Sequence, residues 1–300
     1  MTKTNQHREE TGILLPAAAL DRSLAGITLS RLLAETGLEL SSARFVAIDD
    51  GRGLAFTLAG ANASELAKTA TAELSRQLAT DILSLSAEEV TSLPDAAMPE
   101  DGAEQTLVLL KPDNFEYPSI RPGALLDHFA RTGLTLAWMG VHHMSVAEAE
   151  EFYGPVLPQL QEIFAETHGS AAVKFLETEY DESLSAEDRA ALQTTVGPTM
   201  GRLRWEQLIE FMTGSRPNKV AESDKSKPGS RKCLALIYHG EDAVARIRTI
   251  LGPTNPDKAP AGTIRREFGR ALMINAAHAS DSVENANREM GILGISSSKS

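Results

Sequence analysis

One histidine near the C-terminus, His278, lies between a short apolar run and the triplet Ser280-Asp281-Ser282. Arg248, Thr254 and Arg265 precede it, and Glu289 follows. Arginine and threonine are side chains that grip phosphate oxygens, arginine with a planar fork of donors. An imidazole with an unperturbed pKa of about 6.5 is largely neutral at cellular pH and offers a lone pair. A lone histidine near a strand end more often packs or is solvated. In this company it is placed to accept a phosphoryl group.

The surrounding pieces carry a more specific signal. Asn275, His278, Ser280, Asp281 and Ser282 fit an N-x-x-H-x-S-D-S pattern; Gly252, Thr254, Asn255 and Pro256 form a G-x-T-N-P turn; Gly262 to Arg265 reads G-T-I-R. These motifs, in one order and without insertion from Arg248 through Glu289, resemble the nucleoside diphosphate kinase family. The resemblance covers about residues 105–290 and implies an α+β fold, a ferredoxin-like antiparallel sheet with helices. It also implies a ping-pong transfer of the γ-phosphoryl group from a nucleoside triphosphate to a nucleoside diphosphate through a phosphohistidine at His278. In that scheme Lys111, in a K-P-D strand exit, Arg248, Thr254 and Arg265 hold the phosphates. Asn275 and Lys111 bind the ribose, Glu289 orients the imidazole with Ser280 steadying it, and Tyr153 brackets the catalytic phosphate. Arg204 falls where the family has a base-stacking phenylalanine, with Trp205 beside it; Leu208 and Leu272 complete the nucleotide-contacting positions. Magnesium is expected to ride on the nucleotide, with Asp281 reaching it at most through water and no dedicated protein cage.

The chain departs from the family in places. The glycine after the histidine is Ala279, which crowds the phosphate if that backbone approaches closely, and Pro260-Ala261 replaces a lysine-proline pair in a loop that supports oligomer contacts. Insertions fall at about 160–200, read as a helical hairpin, and 215–231, read as a mobile polar loop. These departures keep open an alternative reading, a catalytically weak or inactive nucleotide-binding or regulatory protein of the same fold.

Composition narrows the classes. A net charge of −12 argues against binding nucleic acid through a global basic field. One cysteine, Cys233, cannot close an internal disulfide and favours a reducing compartment. The polar N-terminus lacks a signal-peptide core, and no run approaches the roughly 18 apolar residues of a membrane helix. A cytoplasmic protein without membrane contact is the expectation. His142-His143 has no third ligand at useful spacing, so no metal site is expected there.

The elements that must position the site can be read in order. Residues 1–12 read as a disordered tail, 13–83 as a degenerate half-repeat of the kinase-like fold, 84–104 as a linker, 105–292 as the kinase-like domain and 293–300 as a flexible tail. The repeat shows in Ile13-Leu14-Leu15-Pro16 against Leu109-Leu110-Lys111-Pro112 and in Thr36-Gly37-Leu38 against Thr132-Gly133-Leu134, both at an offset of 96. Leu54-Ala55 and Gly60 match Leu234-Ala235 and Gly240 at an offset of 180. On this alignment Leu15 stands opposite Lys111 and nothing stands opposite His278, so the first copy is expected to be catalytically silent. It would pack on the second as a built-in mate, an internal pseudo-dimer that lowers the need for homo-oligomers. Leu272 to Ala276 reads as the last strand, delivering His278.

Overall fold

Two stretches of the chain fold in the same strand–helix–strand–strand–helix–strand order. The computed structural model describes residues 8–49, 51–99 and 102–295. The expected disordered start, through residue 7, and the last five residues of the expected flexible tail lie outside them. The first stretch comprises β1 (Glu9–Leu15), α1 (Ala17–Asp21), α2 (Ala25–Thr36), β2 (Glu39–Ile48), β3 (Gly51–Gly60), α3 (Ala63–Leu78), β4 (Leu83–Ser86) and α4 (Ala87–Ser92). Strand β1 thus begins inside the segment read as tail. Strand β4 and helix α4, opened by a Ser86/Glu89 capping box, occupy part of the segment read as linker. The repeat therefore carries all four strands, in the antiparallel order β2-β3-β1-β4. Alternation sets the core face: Ile13 and Leu15 of β1 and Leu54, Phe56 and Leu58 of β3 meet Leu29, Leu32 and Leu33 of α2 and Leu74 of α3. Gly37 ends α2 in the left-handed conformation at φ 67°, its N–H donating to the Leu33 carbonyl.

The second stretch comprises β5 (Gln105–Leu110), α5 (Arg121–Ala130) and β6 (Thr135–His142). It is interrupted by a separate unit, residues 143–232, holding α6 (Val146–Phe152), α7 (Val156–Phe164), α8 (Ser170–Tyr180) and α9 (Ala186–Thr213). It resumes with β7 (Cys233–His239), α10 (Ala243–Leu251), α11 (Ile264–Phe268), β8 (Ala277–Ala279) and α12 (Val283–Ile292). Its sheet order, β6-β7-β5-β8, repeats that of the first. Both sheets have the ferredoxin-like arrangement. Cys233 is a buried thiol on β7, its Sγ 3.4 Å from the His142 carbonyl. Among the described residues no helix is long and apolar enough to cross a membrane.

Strand pairing revises the alignment of the two repeats. Leu15 pairs with Leu54, and Leu110 pairs with Leu234. Ile13 and Leu15 face the core in the first repeat, Val108 and Leu110 in the second. The strands therefore correspond at an offset of 95, not 96, and the counterpart of Lys111 is Pro16 rather than Leu15. A one-residue slip would turn every side chain to the other face, so packing overrides the identity of the two prolines. In this register Leu14 pairs with Leu83, and Leu109 pairs with His278. The position of the imidazole in the first repeat is held by a hydrocarbon.

The two repeats share one hydrophobic cluster. Helices α2 and α5 approach so closely that a Cβ on Gly123 would collide with the Gly26 carbonyl, and one on Gly26 would come within 2.7 Å of the Gly123 carbonyl. The Ser30 hydroxyl donates to the Ile120 carbonyl across the same seam at 3.2 Å.

Within the 143–232 unit, Ser145 and Glu148 form a capping box at the start of α6. Helix α7 continues through a π-turn, Ala165–Gly169, into α8, and Asp181 at φ 52° reverses the chain into α9. The result is a helical hairpin, as expected for the first insertion. Its seam is cut by glycines: a Cβ on Gly201 would lie 2.6 Å from the Gln161 Cα, and one on Gly169 would lie 2.6 Å from the Gln193 Cα. Helix α9 runs without a break past the end of that insertion to Thr213, with Pro198 inside it. The second insertion, expected to be a loose polar loop, is tied down instead. Lys225 pairs with Glu150 at 3.0 Å, Asn218 donates to Glu206 at 2.9 Å and Arg216 to Glu210 at 2.6 Å.

Candidate active site

His278 does not follow the last strand; it lies within it. The segment Leu272–Ala276, expected as a strand, is a tight loop, and β8 is only Ala277–Ala279. The loop's polar backbone groups are consumed elsewhere. Arg270 donates to the Ile274 carbonyl at 2.7 Å, and the Asn275 amide donates to the carbonyls of Leu272 and Thr254 at 2.9 and 3.0 Å. Ala276 adopts φ 70°, a left-handed conformation that strains a residue bearing a Cβ. Only from Ala277 onward does the chain pair with β5.

The strand's alternation then separates two roles. Ala277 and Ala279 point into the core with Val108 and Leu110, while His278 is on the opposite face. The Ala279 methyl is directed away from the imidazole, so the expected crowding at this position does not arise from its side chain. His278 Nε2 lies 2.9 Å from Glu289 Oε2, and the Ser280 hydroxyl donates to the same oxygen at 2.6 Å. Glu289 reaches this position because Ser282 caps α12, accepting from the Asn285 N–H. Glu289 and Ser280 are buried, whereas the His278 side chain is 23% exposed. A carboxylate held in this way accepts from Nε2–H and fixes both ring orientation and tautomer.

Cations and donors from distant segments converge beside the ring. Lys111, at the end of β5, is 6% exposed; its ammonium donates to Asn275 Oδ1 at 2.6 Å and to the Met273 carbonyl at 3.2 Å. Arg265 donates to the carbonyls of Gly252 at 2.9 Å and Ala277 at 3.2 Å, the latter adjacent to His278. Arg248 is close enough to depress the pKa of Arg265 and, with His278, that of Asp281. Asp281 is held first of all by Asn285, whose amide donates to it at 2.6 Å. Thr254 joins the cluster through its carbonyl on Asn275. Leu272 does so only through its backbone, its side chain being 54% exposed. Tyr153, Arg204 and Leu208 belong to the 143–232 unit. There the Trp205 indole donates to the Tyr153 carbonyl at 2.8 Å, and Arg204 donates to Gln207 at 3.1 Å.

Three further residues hold the site together. The Asn114 amide bridges the carbonyls of Lys111 at 3.0 Å and Ala276 at 2.7 Å, locking the β5 exit to the strained residue before β8. Arg121 donates to Asn114 Oδ1 at 3.2 Å and to the Phe268 carbonyl at 2.9 Å, and lies 3.6 Å from Asp113. The signal for them in the sequence is the polar pair Asp113-Asn114 directly after Lys111-Pro112, at a strand exit where solvated side chains are the ordinary outcome.

Burial dominates the electrostatics. It lowers the Lys111 pKa to about 7, with help from Arg265 and against the pull of Asp113. Burial and then Arg248 lower Arg265 to about 10. Without an anion the site is a cluster of poorly solvated cations, and bound phosphate would relieve it. The unfolded chain's lysine, near pKa 10.4, holds its proton through a window in which the folded chain's Lys111 has lost it. Stability is therefore expected to rise with pH from about 7 to about 10. Lys111→Met removes this contribution. In urea unfolding the variant should exceed the wild type by about 3 kcal/mol near pH 6, with the gain shrinking steadily toward pH 10. A difference independent of pH would contradict this account of the lysine.

Residues 190–294 match the family model for nucleoside diphosphate kinase. The nucleoside diphosphate kinase of Chlamydia abortus is 30% identical over 187 residues, covering 62% of this chain and 89% of that protein. That of Chlamydia caviae gives the same identity and coverage. The crystal structure of an NDP kinase from Pyrobaculum aerophilum is 27% identical, covers 63% of this chain and 94% of its own, and superposes with a TM-score of 0.42. On the identity and coverage of the curated relatives, the chain belongs to the nucleoside diphosphate kinase family.

Proposed function

We propose that the chain is an active nucleoside diphosphate kinase working through a phosphohistidine at His278. The observation that carries this reading is the bond from His278 Nε2 to buried Glu289. A neutral imidazole that donates from Nε2 has its lone pair on Nδ1. That lone pair attacks the γ-phosphorus of a bound triphosphate, the bond from the γ-phosphorus to the β–γ bridging oxygen breaks, and the diphosphate departs. The phosphoryl group then passes from Nδ1 to the terminal oxygen of a second diphosphate. Imidazolium character develops as the ring is phosphorylated, and Glu289, steadied by Ser280, stabilises it. Lys111, Arg248 and Arg265 stabilise the charge on the transferring oxygens. Asn275 with Lys111 binds the ribose. Thr254 adds a hydroxyl for the phosphates; Tyr153 is assigned to the phosphate, and Arg204 and Leu208 to the base. Asp281 is the carboxylate beside His278 that would hold a nucleotide-borne Mg²⁺ through water, an ion that would offset phosphate charge.

Incubation with γ-labelled ATP should leave acid-labile, base-stable label on the wild-type chain, discharged by a second nucleoside diphosphate. His278→Ala should carry none. An unlabelled wild type would instead favour the non-catalytic nucleotide-binding reading, and label persisting on His278→Ala would refute the nucleophile.

We also infer that the first repeat serves as an internal mate for the second, the role a second subunit would otherwise take. Support comes from the shared core and the glycine contact of α2 with α5. Light scattering should then report a species near the chain mass of 32.2 kDa rather than a hexamer.

A further inference from the structure

We propose that the seam between the two repeats is a second ligand site, separate from the His278 centre, which takes a small amphipathic monoanion of the arylalkyl carboxylate class on Arg52 and Tyr238. A cavity of about 530 Å³ opens between α1, the start of α2 and the start of β3 on one side and α5, β6 and β7 on the other. That is within the range of small-molecule sites, which run from about 300 to about 1,000 Å³. Leu20, Leu126, Ala130 and Leu134 make much of its wall apolar, and none of its lining residues belongs to the phosphate cluster.

Two polar side chains in the cavity are incompletely satisfied. Arg52 stacks its guanidinium on the Phe45 ring, 4.3 Å from the centroid, and donates one terminal nitrogen to the Ala137 carbonyl. Its Nε is buried and lacks a hydrogen-bond partner, and among the described residues no carboxylate lies within ion-pairing distance of it. A part-buried cation without a counter-charge is costly, and here burial also depresses its pKa. Tyr238 is 2% exposed, with its ring packed on Phe129 at 5.5 Å. Its hydroxyl has no hydrogen-bond partner among the described residues. Buried polar groups are normally paired, so the orphaned Arg52 Nε points to a missing acceptor, and the Tyr238 hydroxyl, open to the same cavity, offers a second donor.

The charges around the cavity restrict what that acceptor can be. Asp21 is an exposed carboxylate at its mouth, and Asp127, near Tyr238, accepts from the Ile27 N–H at the start of α2. His128 and Arg131 act on Asp127 from α5 and the turn after it. A single guanidinium among these groups matches one negative charge and disfavours the polyphosphate that the His278 centre would take. An apolar body with one carboxylate satisfies both the walls and the two donors.

The test uses the full chain and 3-phenylpropionate, with its neutral amide as control, followed by isothermal titration. The acid should bind one molecule per chain, and the amide about tenfold more weakly or not at all. Arg52→Gln should weaken the acid by about tenfold, and Tyr238→Phe, which keeps the ring and its packing, by severalfold. His278→Ala should bind it like the wild type. Equal affinity for acid and amide, unchanged affinity in both cavity variants, or no saturable binding of the acid at millimolar concentration would each overturn the proposal.

Discussion

A buried carboxylate accepting from one nitrogen of an imidazole is the constraint around which this molecule is arranged. Glu289 costs desolvation energy wherever it is buried, and it is tolerable here because Ser280 and His278 both donate to Oε2 while Arg288 lies 3.5 Å from Oε1. The arrangement needs β8 to be a true strand, so that Ser280 and His278 share a face, and it needs α12 to start at Ser282, so that Glu289 returns over them. The core pairing of β8 with β5 supplies the first condition, and the hydroxyl cap of α12 the second.

Around this pair the protein concentrates charge of one sign. Burial withdraws Lys111 and Arg265 from water and lowers both pKa values, Arg265 adding to the effect on Lys111 and Arg248 to that on Arg265, a destabilising arrangement for the empty protein that a phosphate would offset. The scaffold resists the resulting strain through side-chain hydrogen bonds. The Asn114 bridge and the Arg121 donors tie the β5 exit to the loop before β8, where Ala276 is held at positive φ. Site and seam are thus built from different materials. The seam between repeats is made largely of glycines and apolar side chains, and Arg52, which lines its cavity, stands apart from the phosphate cluster.

Much of this was legible from residue types. The helix stop at Gly37 and the capping box at Ser145 follow from short-range chemistry, whereas the meeting of Lys111, Arg265, Asn275 and His278 is implied by the family resemblance of their motifs. What was not legible depends on packing. The repeat alignment is ambiguous by one residue in sequence because Pro16 and Pro112 look equivalent until the core faces of β1 and β5 are known. The strand before His278 looked continuous because its apolar letters do not reveal that Lys111 and Asn275 capture the loop carbonyls. The second insertion looked loose because its lysines have no visible partners in sequence, whereas Lys225 finds Glu150 from another helix. Asn114 carries no signal in the sequence because a polar residue at a strand exit is ordinarily solvated, whereas here it is 1% exposed.

The most direct measurement of the central claim is the tautomer of His278 in the free protein, read from its ring ¹⁵N chemical shifts above the imidazole's titration. If Glu289 governs the ring, Nε2 should show the shift of a protonated, pyrrole-type nitrogen and Nδ1 that of a pyridine-type nitrogen with a lone pair. Glu289→Gln should weaken that preference. A proton resident on Nδ1 in the wild type, or a tautomer balance indifferent to Glu289, would contradict the account.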